Sequence, residues 1–63
     1  MYLPNKQKNQ LARVLKSRRK AKCLTQTELS KLTNITQSLI SNYESGKTTP
    51  NKSNLDKLLN ILL

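Results

Sequence analysis

Apolar residues in the first third of the chain recur at helical spacing. Leu11, Val14 and Leu15 lie within four positions of one another, and Ala21 follows further along. This spacing is typical of one face of an α-helix, whereas a half-buried strand would alternate apolar and polar residues. We predict a first helix that begins between residues 5 and 9 and ends at about Ala21. Residues 1–8 are expected to form a flexible N-terminal arm.

The next segment carries the signal for a helix start. Thr25 and Glu28 have the spacing of a capping box, in which each side chain accepts a hydrogen bond from the other residue's backbone N–H. A second helix is therefore predicted over residues 25–33, with Leu29 and Leu32 on its apolar side. Asn34 should end it, because asparagine tolerates the left-handed conformation of a tight turn.

A third helix is predicted over residues 36–45. Thr36 can cap its start, and Gly46 stands where a C-terminal cap belongs. The inward residues of this helix would be Ile40 and Tyr43.

A loop rich in Lys, Thr and Pro separates the third helix from the last one. Asn51 or Ser53 can cap the last helix. Its inward leucines would be Leu55, Leu58, Leu59 and Leu62. No repeat or change of composition divides the chain, so we predict a single all-α domain, residues 1–63, of four or five helices.

The charge of the chain is strongly positive. Twelve Lys and Arg residues face only Glu28, Glu44 and Asp56, which gives a formal net charge of +9 and makes a polyanion the natural partner. An anionic membrane is the weaker candidate, because the only aromatic residues are Tyr2 and Tyr43. No apolar stretch approaches the roughly 20 residues that a membrane span needs.

Candidate chemistry is sparse. The chain has no histidine and a single cysteine, Cys23, so it offers no internal disulfide, no typical metal-ligand set and no nucleophile beside a base. We expect neither enzyme activity nor a metal or cofactor, and a reducing, cytoplasmic setting. The sequence assigns no role to Cys23.

The two short central helices, joined by about three residues, match a helix-turn-helix. In this motif the second helix enters the DNA major groove. With Ile40 and Tyr43 turned inward, that helix would present Gln37, Ser38, Leu39, Ser41 and Asn42. Double-stranded DNA is accordingly the expected partner.

The segment "LTQTELSKLTNITQSLISNYESGKTTP", residues 24–50, resembles the Cro/CI-type (XRE-family) helix-turn-helix proteins. The positions in register with that family are Thr25-Gln26, Glu28-Leu29, Ile40-Ser41 and Glu44-x-Gly46. The likeness extends over residues 11–62 and implies a small lambda-repressor-like domain. Within the family, the chain is most similar to the antitoxin repressors of HipA-type toxin-antitoxin modules.

The expected base contacts are Gln37, Ser38, Leu39 and Asn42. Gln37 opens the recognition helix, where its amide can pair with adenine N6 and N7. Ser38 reaches a base or a phosphate, Leu39 touches a thymine methyl or packs at the core edge, and Asn42 meets a base edge or a phosphate. With no arginine on this face, we expect a bias toward A·T pairs.

Phosphate contacts are expected on both sides of the recognition helix. The resemblance implies that Gln26 binds a phosphate and braces the first side chain of the third helix, and the free N–H groups of a helix start favour an anion. Lys47 would lie near the second strand, although a solvated loop lysine is equally compatible with the sequence. The full expected set is Gln26, Thr36, Ser41, Lys47, Thr48 and Asn51.

The resemblance also pairs Arg19 with Glu44 as a partly buried structural ion pair. The alternative is an exposed pair that contributes under about 1 kcal/mol. The chain departs from the family at Cys23 and Asn34, where glycine is common. Because cysteine is unfavourable at a positive φ, the turn between the first two helices is expected to be built differently. Arg18 occupies a position that is often apolar.

The last helix carries more apolar residues than one inward stripe requires. Ile61 and Leu63 fall beside that stripe, and surplus apolar surface on so small a domain indicates association. We expect a homodimer through the C-terminal helix, with recognition helices about one DNA turn (~34 Å) apart on a palindromic operator. The leading hypothesis is a sequence-specific repressor. The alternative is an antitoxin component that binds a HipA-like toxin as well as operator DNA.

Overall fold

The computed structural model describes residues 3–63, with side chains from residue 10 onward. Within that range the chain forms four α-helices and no strand. Their bounds are Leu3–Ala21 for α1, Gln26–Thr33 for α2, Gln37–Ser45 for α3 and Lys52–Leu62 for α4. Helix α3 packs against α1 and α2, and α4 packs against α2 and α1. The fold is therefore all-α, as predicted.

Helix α1 begins earlier than predicted. It starts at Leu3 rather than between residues 5 and 9, so residues 3–8, expected in a flexible arm, continue the helix. Pro4 is compatible with this start, because the first N–H groups of a helix have no partner within it. The rest of the expected arm, residues 1 and 2, lies outside the described residues.

The buried stripe of α1 differs from the predicted one. Ala12, Leu15 and Arg19 are buried, whereas Val14 is 47% exposed and Ala21 is exposed. These three buried residues recur at steps of three and four positions, so they share one face of the helix. That face includes an arginine, whereas the apolar pattern had predicted Val14 and Ala21. An apolar pattern alone could not find this face.

Helix α2 begins with the predicted capping box. Thr25 Oγ1 accepts from the Glu28 N–H at 3.0 Å, and the Glu28 carboxylate accepts from the Thr25 N–H at 2.8 Å. Leu29 is buried, but Leu32, predicted on the same apolar side, is 56% exposed. The buried face of α2 instead continues from Leu29 to Thr33, one turn later. The Thr33 hydroxyl donates to the Leu29 carbonyl at 2.8 Å.

The turn between α2 and α3 is satisfied by short-range hydrogen bonds. Asn34 adopts the predicted left-handed conformation, with φ 61°, and its N–H donates to the Ser30 carbonyl at 2.8 Å. Ile35 is buried, its carbonyl accepts from the Ser30 hydroxyl, and its N–H donates to Thr33 Oγ1 at 3.3 Å. The turn thus fixes where α3 begins relative to α2.

The turn between α1 and α2 also uses a left-handed residue. Cys23 has φ 58°, so the expectation that cysteine would force a different turn is wrong. The Cys23 N–H donates to the Lys20 carbonyl at 2.9 Å, and the Leu24 N–H donates to the Arg19 carbonyl at 3.1 Å. These two bonds close the end of α1 and offset the conformational cost of a left-handed cysteine.

All four helices enclose one apolar core. Its buried members are Leu15, Leu29, Ile35, Ile40, Tyr43, Leu58 and Leu62. Leu55 and Leu59, predicted to face inward with the other leucines of α4, are only half-buried. Leu55 stands near the start of the helix and Leu59 on its flank, so neither reaches the centre of the core.

Asn51 rather than Ser53 caps α4. The Asn51 side chain accepts from the Asn54 N–H at 2.8 Å. In turn, the Asn54 side chain donates to the Tyr43 hydroxyl at 3.0 Å, which joins the start of α4 to α3. The two helices therefore share one polar contact in addition to the apolar core.

Candidate nucleic-acid interface

Helix α3 has one buried face and one open face. Ile40 and Tyr43 are buried at 1% and 6% exposure, as predicted. On the other sides the helix presents the exposed Gln37, Ser38 and Leu39 and the half-buried Ser41 and Asn42. Leu39, which the sequence placed either outward or at the edge of the core, is 38% exposed. Apart from Leu39, the open face is polar and uncharged.

Both ends of α3 are capped. Thr36 Oγ1 accepts from the Leu39 N–H at 3.3 Å. At the other end Gly46 has φ 81°, and its N–H bonds back to the carbonyls of Asn42 and Tyr43. The Thr36 hydroxyl acts as an acceptor in its cap, so its proton is still available to a phosphate oxygen.

An ion pair joins α1 to the end of α3. Arg19 Nε lies 2.7 Å from Glu44 Oε2, and Arg19 Nη2 donates to Glu44 Oε1 at 3.0 Å. The Arg19 and Glu44 side chains are 10% and 4% exposed. The contact is therefore a partly buried, bidentate ion pair rather than an exposed surface pair. The third nitrogen of the guanidinium, Nη1, donates to the Leu24 carbonyl at 2.6 Å.

Arg19 keeps its positive charge in this environment. Its hydrogen bond to Glu44 raises the pKa of Arg19 above its ordinary value, and the charge attraction adds to the effect while burial opposes it. A raised pKa on a cationic group contributes stability that is present below the ordinary pKa and is lost only as pH rises through the raised one. The arginine therefore stays protonated across the neutral range.

Gln26 connects this ion pair to the start of α3. Its Nε2 donates to Glu44 Oε1 at 3.1 Å, and its Oε1 accepts from Gln37 Nε2 at 2.6 Å. The structure thus contains a brace between Gln26 and Gln37, together with a bond from Gln26 to Glu44 that was not predicted from the sequence. Gln37 and Glu44 lie two turns apart on one side of α3, so a side chain that braces one can also reach the other.

The remaining residues expected to contact phosphates lie around the ends of α3. Lys47 and Thr48 are exposed in the loop after the helix. The Lys47 N–H donates to the Asn42 carbonyl at 3.0 Å, which ties the start of this loop to α3. Asn51 uses its side-chain oxygen in the α4 cap, so its amide N–H groups are left to donate.

Ser45 belongs to the same open face, although it was not among the residues predicted from the sequence. It is exposed, and its hydroxyl donates to the Asn42 carbonyl at 3.1 Å. Helical spacing was the available signal, because Ser38, Ser41 and Ser45 follow one another at steps of three and four residues. The open face thus extends to the last turn of the helix.

Two short helices at a tight turn, the second with a polar open face and a braced first side chain, define a helix-turn-helix DNA-binding domain. The helix-turn-helix family model matches residues 15–62, and the chain belongs to this family, in its XRE type. Comparison with curated proteins and with solved structures gave no significant match. The chain is accordingly a DNA-binding transcriptional regulator of the XRE type, and its partner is double-stranded DNA.

Residues 3–63 contain neither a membrane-spanning helix nor a cluster of metal-binding side chains. No helix there combines the length and the apolar character needed to cross a bilayer. That part of the chain also has no group of three or more histidine, cysteine, aspartate or glutamate side chains that could bind a metal ion.

Proposed function

We propose that the chain is a repressor that binds a palindromic operator as a homodimer, with α3 in the major groove. The observation that carries this proposal is the exposed Gln37 amide, held at the start of α3 by Gln26. A recognition helix reads bases with its first residues, and a braced side chain loses less conformational entropy when it binds. The proposed base contacts are Gln37, Ser38, Leu39 and Asn42.

Adenine is the base that suits Gln37. One of the two Nε2 protons is donated to Gln26, so the carbonyl oxygen and one N–H of the amide are free. Adenine offers the complementary N6 donor and N7 acceptor in the major groove. Leu39, at 38% exposure, provides an apolar contact for a thymine methyl.

Phosphate contacts would position α3 in the groove. The proposed donors surround the open face: Gln26, Thr36, Ser41, Lys47, Thr48 and Asn51. The Gln26 amide donates one N–H to Glu44 and retains a second for a phosphate. The net charge of +9 supplies the long-range attraction. Affinity should therefore fall steeply with salt, by about 0.9 log units per log unit of salt for each phosphate neutralised.

The surface for dimerisation would lie where α2 meets α4. Leu32 is 56% exposed and lines a groove together with the half-buried Ile61, and Leu63, at the end of α4, is 65% exposed. Exposed apolar side chains on so small a domain favour association. The proposal requires a two-fold axis at this surface that places the two recognition helices on successive turns of one DNA face.

Selection from random duplexes tests the base readout. The retained sequences should share a palindrome, and Gln37→Ala should relax the preference at one adenine by about 1–3 kcal/mol. Gln10→Ala, which removes an exposed amide from α1, is the matched control and should leave the preference intact. Binding that depends on salt but selects no motif would contradict sequence-specific readout by this chain alone.

The dimer requires a separate test. Leu32→Lys should shift the protein toward monomer in sedimentation and weaken operator binding, whereas Val14→Lys, on the exposed side of α1, should do neither. A wild-type chain that is monomeric at tens of micromolar, with and without DNA, would contradict the dimer. A monomer that occupies the operator only with a second, toxin-like subunit would favour the antitoxin alternative.

A further inference from the structure

A continuous series of hydrogen bonds leads from the scaffold to the recognition surface. It begins at the buried Arg19, passes through the Glu44 carboxylate to Gln26, and ends at the exposed Gln37. Its three heavy-atom distances, in that order, are 3.0, 3.1 and 2.6 Å. The series joins α1, α3 and the first residue of α2 through side chains alone.

The chemistry of its first two members gives the series a direction. A guanidinium can only donate hydrogen bonds, and an ionised carboxylate can only accept them. Gln26 must therefore turn its NH₂ group toward Glu44, which leaves its carbonyl oxygen facing α3. That oxygen in turn requires the NH₂ group of Gln37. The orientation of each amide thus follows from its partner.

The orientation of Gln37 decides which base it can read. With its NH₂ group bound to Gln26, the amide presents a carbonyl oxygen and a single N–H. Adenine N6 and N7 complement this pair, whereas guanine offers two acceptors, O6 and N7, so that its O6 would face the glutamine oxygen. An amide free to rotate by 180° could instead direct both N–H groups toward guanine.

We infer that the Arg19–Glu44 ion pair determines specificity, because it fixes the polarity of the Gln26 amide and through it the base preference of Gln37. Arg19, Glu44 and Gln26 are positioning residues in this inference, since they act on the base through Gln37. The inference rests on the proposed function, in which Gln37 reads a base in the major groove.

A merely structural ion pair would behave differently. Its loss would loosen α3 and weaken binding to every duplex by a similar factor. Loss of an ion pair that sets the orientation of the Gln26 amide would instead change a ratio of affinities. The ratio compares two duplexes that differ only at the base read by Gln37. The ratio is therefore the informative measurement, rather than affinity for the best duplex.

The test uses two operator duplexes that carry A·T or G·C at the pair whose preference depends on Gln37. Wild type should favour adenine by about 5- to 150-fold, the range of a good bidentate contact. Gln26→Met keeps the length of the side chain and removes its polarity, and should lower this ratio to less than about threefold. Glu44→Gln should also lower it, because an amide at position 44 accepts either orientation of Gln26.

Matched variants separate the possible outcomes. Gln10→Met, an equivalent change on the exposed side of α1, should retain the wild-type ratio. Circular dichroism establishes that each variant is helical before its ratio is measured. If Glu44→Gln does not fold, the double variant Arg19→Met with Glu44→Met replaces it, because it frees the Gln26 amide to turn without leaving a buried charge unpaired. It should lower the ratio in the same way, and a wild-type ratio in the folded double variant would overturn the inference.

Failure of the inference can be told apart from failure of the proposed function. If Gln37→Ala loses the adenine preference while Gln26→Met retains it, Gln37 reads the base but its polarity is not set by the series. A wild-type preference for guanine at this pair would also overturn the inference and leave readout by Gln37 intact. If Gln37→Ala changes no preference at any position, the proposed readout itself is wrong.

Discussion

Helices α3 and α4 are attached to the molecule by different kinds of contact. Helix α3 packs through its apolar face, and polar contacts fix both of its ends. Gln26 is hydrogen-bonded to Gln37 at the start of the helix, and Arg19 forms an ion pair with Glu44 near its end. Helix α4 instead inserts two fully buried leucines, Leu58 and Leu62, and adds the bond from Asn54 to the Tyr43 hydroxyl. Both helices thus contribute two buried side chains to the core, but directed polar bonds fix both ends of α3 and only the start of α4.

The difference matches what each helix must do. Hydrogen bonds and ion pairs depend on angle, so they fix the rotation of α3 about its own axis and hence the direction of its open face. Apolar contacts are not directional and fix chiefly how deeply a helix is buried. Helix α4 accordingly keeps its place in the core through Leu58 and Leu62, while Ile61 stays half-buried at the proposed dimer surface.

Breaking the polar attachment should have the largest effect. Arg19→Met leaves the Glu44 carboxylate partly buried without its charged partner, which costs about 3–5 kcal/mol. A domain of this size has roughly 3–9 kcal/mol of stability in total, so the variant should be close to unfolding. Urea unfolding followed by helical circular dichroism measures the loss.

Two further variants isolate the contribution of the ion pair. Arg18→Met removes an exposed arginine from the next position of α1 and should change stability by less than about 0.5 kcal/mol. Arg19→Met combined with Glu44→Met should be more stable than Arg19→Met alone, because no buried charge is left unpaired. Equal losses for the Arg18 and Arg19 variants would show that burial of the pair contributes nothing.

The apolar attachment should respond next. Leu62→Ala opens a cavity beneath α4 and should cost about 3 kcal/mol, within the 2–5 kcal/mol usual for a buried leucine. Leu63→Ala, one residue further on and 65% exposed, should cost less than about 0.5 kcal/mol in the monomer. Thermal unfolding at low protein concentration distinguishes them. A similar loss for both would mean that the end of α4 is not anchored by Leu62.

The hydrogen bond from Asn54 to Tyr43, which joins α4 to α3, should contribute less to stability. Tyr43→Phe removes the hydroxyl to which Asn54 donates and should cost about 1 kcal/mol, the usual net contribution of one hydrogen bond. The ring still fills the core, so the helices should stay packed. If the change has no effect on urea unfolding, α4 is held by its leucines alone.

Local signals explain why so much of the helix-turn-helix could be predicted. The capping box at Thr25 and Glu28, the cap at Thr36 and the left-handed Asn34 are interactions between residues at most a few positions apart. Such contacts depend little on the rest of the fold, so residue types at fixed spacing suffice to locate them. The ends of α2 and α3 accordingly agree with prediction to within one residue.

Tertiary packing explains the errors. Arg19 is buried because Glu44, which is distant in sequence, neutralises it, and the apolar pattern of α1 therefore selected Val14 instead. Leu32 was placed inward although the core uses Thr33 on that side of α2. The bond between Gln26 and Glu44 depends on how α2 and α3 are joined, which no local pattern encodes.

The turn that supports the polar attachment offers the smallest and most specific test. Leu24, whose carbonyl accepts from Arg19, follows Cys23 at φ 58°. A residue with a Cβ loses about 1–2 kcal/mol in this conformation, and glycine avoids that loss at an entropic cost of roughly 0.5–1 kcal/mol. Cys23→Gly should therefore stabilise the domain by about 0.5–1 kcal/mol in urea unfolding.

The matched change at the other turn should have less effect. Asn34→Gly also replaces a left-handed residue, at φ 61°, but asparagine tolerates this conformation, so the gain should be close to zero. Cys23→Ala, which keeps a Cβ, should leave stability nearly unchanged. If Cys23→Gly destabilises the domain, the thiol contributes more to the turn than its backbone conformation costs. In that case the polar attachment of α3 would extend beyond Arg19 to the turn itself.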